Sequence, residues 1–211
     1  ALGAQMSGTL SISPGGFDVR VLIPLLFLAL PVFAQSIHEK AEIFQHDMEQ
    51  RFLLEGQALC KLKLPTPERE FIDYNMPDNA YMTGIYVGTL AKKYAITKDP
   101  ADLAKAQESL RALIKLCTVS GKPGLLARAF WPKDKPLADD GIWRDSPDGK
   151  YRWRGDVSTD QMDGTVYGLL YAYELFANEE EKKIIGETVA SLCDYVEGNG
   201  RRIYDIDGQP T

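Results

Sequence analysis

A nine-residue pattern, Met82-x-Gly84-x-x-x-Gly88-x-Leu90, returns 80 residues later as Met162-x-Gly164-x-x-x-Gly168-x-Leu170. In both copies the glycines sit inside helical periodicity, where glycine costs about 1 kcal/mol relative to alanine, and their use there points to close approach of a neighbouring backbone. Each copy is followed by an amphipathic segment with Lys and Glu on one face. Leu116-Cys117 and Leu192-Cys193 in those segments match at a shift of 76, one helical turn less. A charge-poor, Gly- and Tyr-rich helix followed by a solvated one reads as an inner and an outer helix, and two such pairs predict hairpins stacked side by side.

Apolar residues at three-and-four spacing extend this to five helices: Ile37 to Leu62, Asp78 to Ile96, Asp99 to Val119, Ser158 to Ala177 and Glu179 to Val196. Asp99-Pro100 places an N-cap before a proline at the first helical position, and Ser158 with Gln161 fits a capping box. Gly121 and Gly198 supply stops. Two short period-two segments, Ile142-Trp143-Arg144 and Lys150-Tyr151-Arg152-Trp153, flank the turn Ser146-Pro147-Asp148-Gly149 and predict a β-hairpin. The fold class expected from these patterns is all-α.

Upstream, Val21 to Ala34 is an apolar run of 14 residues containing Pro24 and Pro31, preceded by Arg20 and ending in Val32-Phe33-Ala34. It is too short for a stable membrane span of about 20 residues and fits the core of a secretory signal. Residues 1–18 carry no Lys or Arg, which suits a start at Val19 better than a signal's basic head. Residues 1–34 are thus expected to be upstream sequence and leader, and 35–211 part of a single exported domain, periplasmic or extracellular. The chain opens on Ala1 and stops at Asp207-Gly208-Gln209-Pro210-Thr211, a turn-like run, so a larger protein cut at both ends is expected. The net charge of −6 argues against a nucleic-acid partner. Cys60, Cys117 and Cys193 lie far apart in apolar stretches expected to be helical and read as small buried hydrophobes, with a bridge between two of them left open.

The hairpin Asn79-Ala80-Tyr81-Met82-Thr83-Gly84 through Tyr94-Ala95-Ile96-Thr97-Lys98-Asp99-Pro100, the run Gly121-Lys122-Pro123-Gly124-Leu125-Leu126-Ala127-Arg128 and the run Gly155-Asp156-Val157-Ser158-Thr159-Asp160-Gln161-Met162-Asp163-Gly164 together resemble the six-hairpin glycosidase superfamily. The resemblance covers most of residues 38–211. It implies an (α/α)6 toroid, of which this chain would be an incomplete, N-terminal part, and carbohydrate as the substrate.

All three tryptophans, Trp131, Trp143 and Trp153, fall between Gly121 and Arg154, with Phe130 and Tyr151. Two readings fit: flat faces on which sugars stack, or a satellite core under a long loop. The same stretch holds eight basic against five acidic residues in an acidic chain. That excess suits an anionic ligand such as a uronate, which Arg128 or Arg144 could hold bidentately, or it is solvated surface charge.

Glycosidic hydrolysis usually takes two carboxyl groups. Asp160 and Asp163, three apart at the start of an inner helix, share a face. Asp160 lies in the positive field of the helix N-terminus, which suits a base or nucleophile, while Asp163 beside Met162, Val166 and Tyr167 would be raised by burial and serve as acid. Both also read as dipole partners of the helix. Asp78, Asn79 and Tyr81, at the corresponding end of the other inner helix, could line the same mouth.

His38 and His46 are the only histidines, and no phosphate loop, dinucleotide fingerprint or calcium-loop spacing occurs. No metal or cofactor is therefore expected. The function expected is a glycoside hydrolase acting on an acidic oligosaccharide. Two alternatives remain: a polysaccharide lyase, with Tyr81 or Tyr167 as base and Arg128 neutralising the carboxylate, and a glycan-binding protein without catalysis. Oligomeric state is left open.

Overall fold

The computed structural model describes residues 36–70 and 72–211. The expected leader and the start at Val19 lie outside them. The chain divides into two units, Ala1–Phe44 and Gln45–Thr211. In the first, the described residues open helix α1 (Ile37–Arg51). Ser36 Oγ accepts the Glu39 amide at 3.1 Å, and the Glu39 carboxylate accepts the Ser36 amide at 2.7 Å, a capping box.

In the second unit the helix expected to reach Leu62 stops at Arg51. Glu55 and Gly56 turn the chain with φ of +50° and +81°, which pairs β1 (Leu53–Leu54) with β2 (Gln57–Ala58). Gly56 has no room for a side chain, since a Cβ there would lie 2.5 Å from the Glu108 carbonyl oxygen. A second antiparallel pair, β3 (Leu62–Lys63) with β4 (Asp73–Tyr74), follows. Then come α2 (Asn79–Thr97) and α3 (Pro100–Thr118), a three-stranded sheet of β5 (Ala129–Pro132), β6 (Trp143–Asp145) and β7 (Tyr151–Arg154), and finally α4 (Thr159–Leu175) and α5 (Glu179–Gly198).

Five helices and three small antiparallel sheets among the described residues make the fold mixed α/β, and the all-α expectation is overturned. The expected hairpin forms as β6 and β7. The sheet order is β5-β7-β6, with Phe130 opposite Trp153 and Arg144 opposite Trp153 from the other side. All four residues of β5 are buried, so the segment shows no alternation by which to recognise a strand.

The repeat glycines do what their placement predicts. A Cβ on Gly84 would sit 1.8 Å from the Gly164 carbonyl oxygen, and one on Gly168 would sit 2.7 Å from Gly84 Cα. Farther along, Gly88 abuts the Tyr167 ring and Lys92 Nζ donates to Tyr167 Oη at 2.8 Å. Contacts that advance together along both chains make α2 and α4 parallel, with their N-termini at one end. Val87, Leu110, Leu113, Leu116, Phe130, Trp153 and Leu169 fill the core around this pair. The opposite flank of the inner helices is open: Met82 is 43% exposed, Val166 42% and Leu170 54%.

Asp99 caps α3 as expected, accepting the Ala101 amide at 2.8 Å ahead of Pro100. The capping box expected at Ser158 is absent, whereas one forms at Asn178 and Glu181. Helix α5 runs through Gly198, and the reversal falls on Gly200 and Arg201, both at φ +64°. Cys117 is buried in α3 as expected. Cys60 is buried but in a loop, and Cys193 is exposed on α5; all three thiols are free. Among the described residues, no helix is long and apolar enough to cross a membrane.

Candidate functional site

The shared N-terminal end of α2 and α4 gathers several of the expected residues. A helix leaves its first amides without intrahelical acceptors, and here one helix serves the other. Gln161 of α4, fully buried, accepts the Tyr81 amide of α2 at 3.2 Å and donates through Nε2 to Asp78 Oδ1 at 3.4 Å. Its sequence position pointed to a cap on its own helix. Its actual partners lie 80 residues away, and no local signal could name them.

Arg128 binds this end together. Its Nη1 donates to the Pro77 carbonyl at 2.7 Å, Nη2 to Ser158 Oγ at 3.1 Å and Nε to the Asp156 carbonyl, and Nη1 lies 3.9 Å from Asp78 Oδ1. The loops entering both helices thus hang on one guanidinium, whose nitrogens are turned to protein acceptors. Ser158 in turn donates its hydroxyl proton to Asp160. That hydroxyl, the amides of Asp160 and Gln161 at the helix terminus and the charge of Arg128 hold the Asp160 carboxyl below the usual aspartate value. Asp160 is exposed and ionised, as a base or nucleophile must be.

Asp163 lies on the same face, also exposed. The burial expected from Met162, Val166 and Tyr167 is missing, because the α2 contact is made by Gly164, Thr165 and Gly168, which turns Asp163 to the open flank with Val166 and Leu170. Tyr81 is half-buried against Gly164. Asn79 is fully buried: its Oδ1 accepts the Cys60 amide at 3.0 Å, while Nδ2 has no partner among the described residues. Asp78, Tyr81, Arg128, Asp160 and Asp163 therefore belong to one end of the helix pair, with Asn79 behind them as support.

The aromatic segment is a second place. Trp153 is 1% exposed and Trp131 9%, so neither offers an open ring face. Trp131 donates Nε1 to the Pro136 carbonyl at 2.9 Å. Trp143, half-buried, donates Nε1 to Asp139 at 2.9 Å. That carboxylate is wholly buried and also accepts the amides of Met76 at 2.5 Å and Gly141 at 2.8 Å and Arg154 Nη1 at 2.8 Å. Arg144 crosses the Trp153 ring at 5.4 Å and pairs with Asp205 at 2.9 Å. Tyr151, half-buried, packs edge-on against Phe130 at 5.5 Å. Its hydroxyl donates to Glu55 at 2.8 Å and accepts from Lys115 at 2.9 Å. Trp131, Trp153 and Tyr151 thus build core, and Arg144 and Arg154 answer buried carboxylates.

Among the described residues, no group of three or more His, Cys, Asp or Glu side chains is placed to hold a metal ion. No family model, curated protein or solved structure matches the chain.

Proposed function

We propose that the protein is a carbohydrate-active enzyme, a glycoside hydrolase whose working end is the shared N-terminus of α2 and α4. The observation that carries the reading is the pair Asp160 and Asp163: two exposed carboxylates on one helical face, beside Asp78 and Tyr81, the first kept ionised by the Ser158 hydroxyl. In this scheme Asp163, exposed and so without burial to favour its acid form, takes the acid's part by elimination, since Asp160 is held ionised: it gives a proton to the glycosidic oxygen as the bond to the anomeric carbon breaks. Asp160 takes a proton from the attacking water or attacks that carbon itself.

The expected preference for acidic glycans rested on the basic excess of residues 121–154, with Arg128 and Arg144 as its candidate ligands. Both are committed to protein partners, so neutral and uronate-containing oligosaccharides belong in one panel. Release of reducing ends is measured for the wild type, Asp160→Asn and Asp163→Asn. The hydrolase reading expects turnover on at least one glycan and a fall of about 10²-fold or more in each variant. Full activity in Asp163→Asn on a cleaved substrate overturns the acid assignment. Binding without cleavage makes the protein a glycan binder, and an unsaturated product makes it a lyase.

A further inference from the structure

A cleft of about 430 Å³ opens beside this end, between the chain leaving α1 and the exposed side of α2. Its lining is mostly apolar, with Met48, Phe52, Met82 and Ile85, while Lys61, Asp78 and Thr89 add polar groups. The volume falls in the range of small-ligand sites, which are mostly apolar with few polar groups. Asp78 is the hinge of the argument: it lines the cleft and it also accepts from Gln161 at the end of the helix pair, so the cleft continues the proposed site.

We propose that this cleft is the subsite for an apolar aglycone, and that the substrates are glycosides carrying an aryl or alkyl group. The inference rests on the glycoside reading above and names which glycosides it concerns. A sugar ring laid against Met48, Phe52, Met82 and Ile85 would find few partners for its hydroxyls on that wall, the polar groups being confined to Lys61, Asp78 and Thr89. An aryl or alkyl group gains affinity in proportion to the apolar area it hides from water. Two methionines suit such a site, since the thioether chain adapts to varied shapes. Tyr86 lines the cleft with its ring; its hydroxyl is buried and has no hydrogen-bond partner among the described residues. Met82, 43% exposed and outside the core clusters, is the side chain an incoming group would cover.

The test uses the full chain with methionine methyl groups labelled for NMR. The probes are phenyl and methyl glucosides of both anomers and phenol alone. Expected are shifts of the Met48 and Met82 signals with the phenyl glucoside and with phenol, and a phenyl glucoside affinity about tenfold or more above that of the methyl glucoside. Met82→Glu brings that ratio toward one, with an unchanged melting temperature as the check on folding. Equal affinities for phenyl and methyl glucosides overturn the aglycone subsite while leaving the hydrolase reading intact. Phenol moving the methionine signals while no glucoside binds upholds an apolar site but overturns the glycoside reading on which its role depends. Phenyl ligands that move neither methionine overturn the proposal outright.

Discussion

The contact between α2 and α4 and the carboxylate cluster beside the sheet β5-β7-β6 are both buried, but they are closed by different means. Between the helices there is almost nothing: Gly84, Gly164 and Gly168 bring backbone against backbone, and any added atom collides with a main chain that cannot step aside. Beside the sheet there is much more. Asp139, Arg154, Trp143 and the amides of Met76 and Gly141 form a charged cluster in which each group answers another. The first region is intolerant of gain and the second of loss, so each fails under a different kind of substitution.

The largest effect is expected in the cluster. Asp139→Ala strips a fully buried carboxylate from Arg154 and two amides, and should cost about 3–5 kcal/mol, read by urea denaturation. A loss under about 1 kcal/mol would reduce the cluster to the standing of surface pairing. In the helix pair, Gly84→Ala should cost about 3 kcal/mol, the upper end of overpacking penalties. Gly186→Ala in α5 is its counterpart: a Cβ there meets nothing within 4 Å, so the change should stabilise by about 0.5–1 kcal/mol. If both glycine variants destabilise alike, the backbone contact is not what makes Gly84 special. The smallest effect is a titration. Asp160 has a lower pKa folded than unfolded, so its contribution to stability is present above the unfolded value of about 3.9 and is lost as the pH falls through the lower folded value. Ser158→Ala should raise the Asp160 midpoint in an NMR titration, and no change would leave the helix terminus alone responsible.

The same contrast explains what the sequence discloses. Asp99 before Pro100 and the turn at Asp148-Gly149 act locally and leave a mark within a few residues, and the helical glycines, though they act on a helix 80 residues away, leave theirs in their spacing and its recurrence. Asp139 and Gln161 act on groups elsewhere in the chain, and a lone carboxylate or amide in a loop or first turn has the same local signature whether it is solvated or buried. Arg128 shows the cost of that ambiguity: read as a ligand for an anion, it proves to be the tie between two helix entries. Strands escaped notice where they were shortest or buried throughout, as in β1 and β5. At the candidate site, the shared face of Asp160 and Asp163 follows from spacing alone, whereas their exposure depends on which flank of α4 the glycines commit to α2.

Gln57 carries one more consequence. Fully buried, it donates Nε2 to the Phe130 carbonyl at 2.9 Å and accepts the Phe130 amide at 3.0 Å through Oε1, so a side chain does for β5 what a further strand would do. β5 is an edge of its sheet, and an edge with free amides and carbonyls recruits strands from other molecules. Pro132, at the end of the same strand, has no amide to offer. On the far side, β6 carries Arg144, paired with Asp205, and Asp145, paired with Lys133. Gln57 thus takes up part of the β5 margin that would otherwise be open, with a side chain in place of a strand.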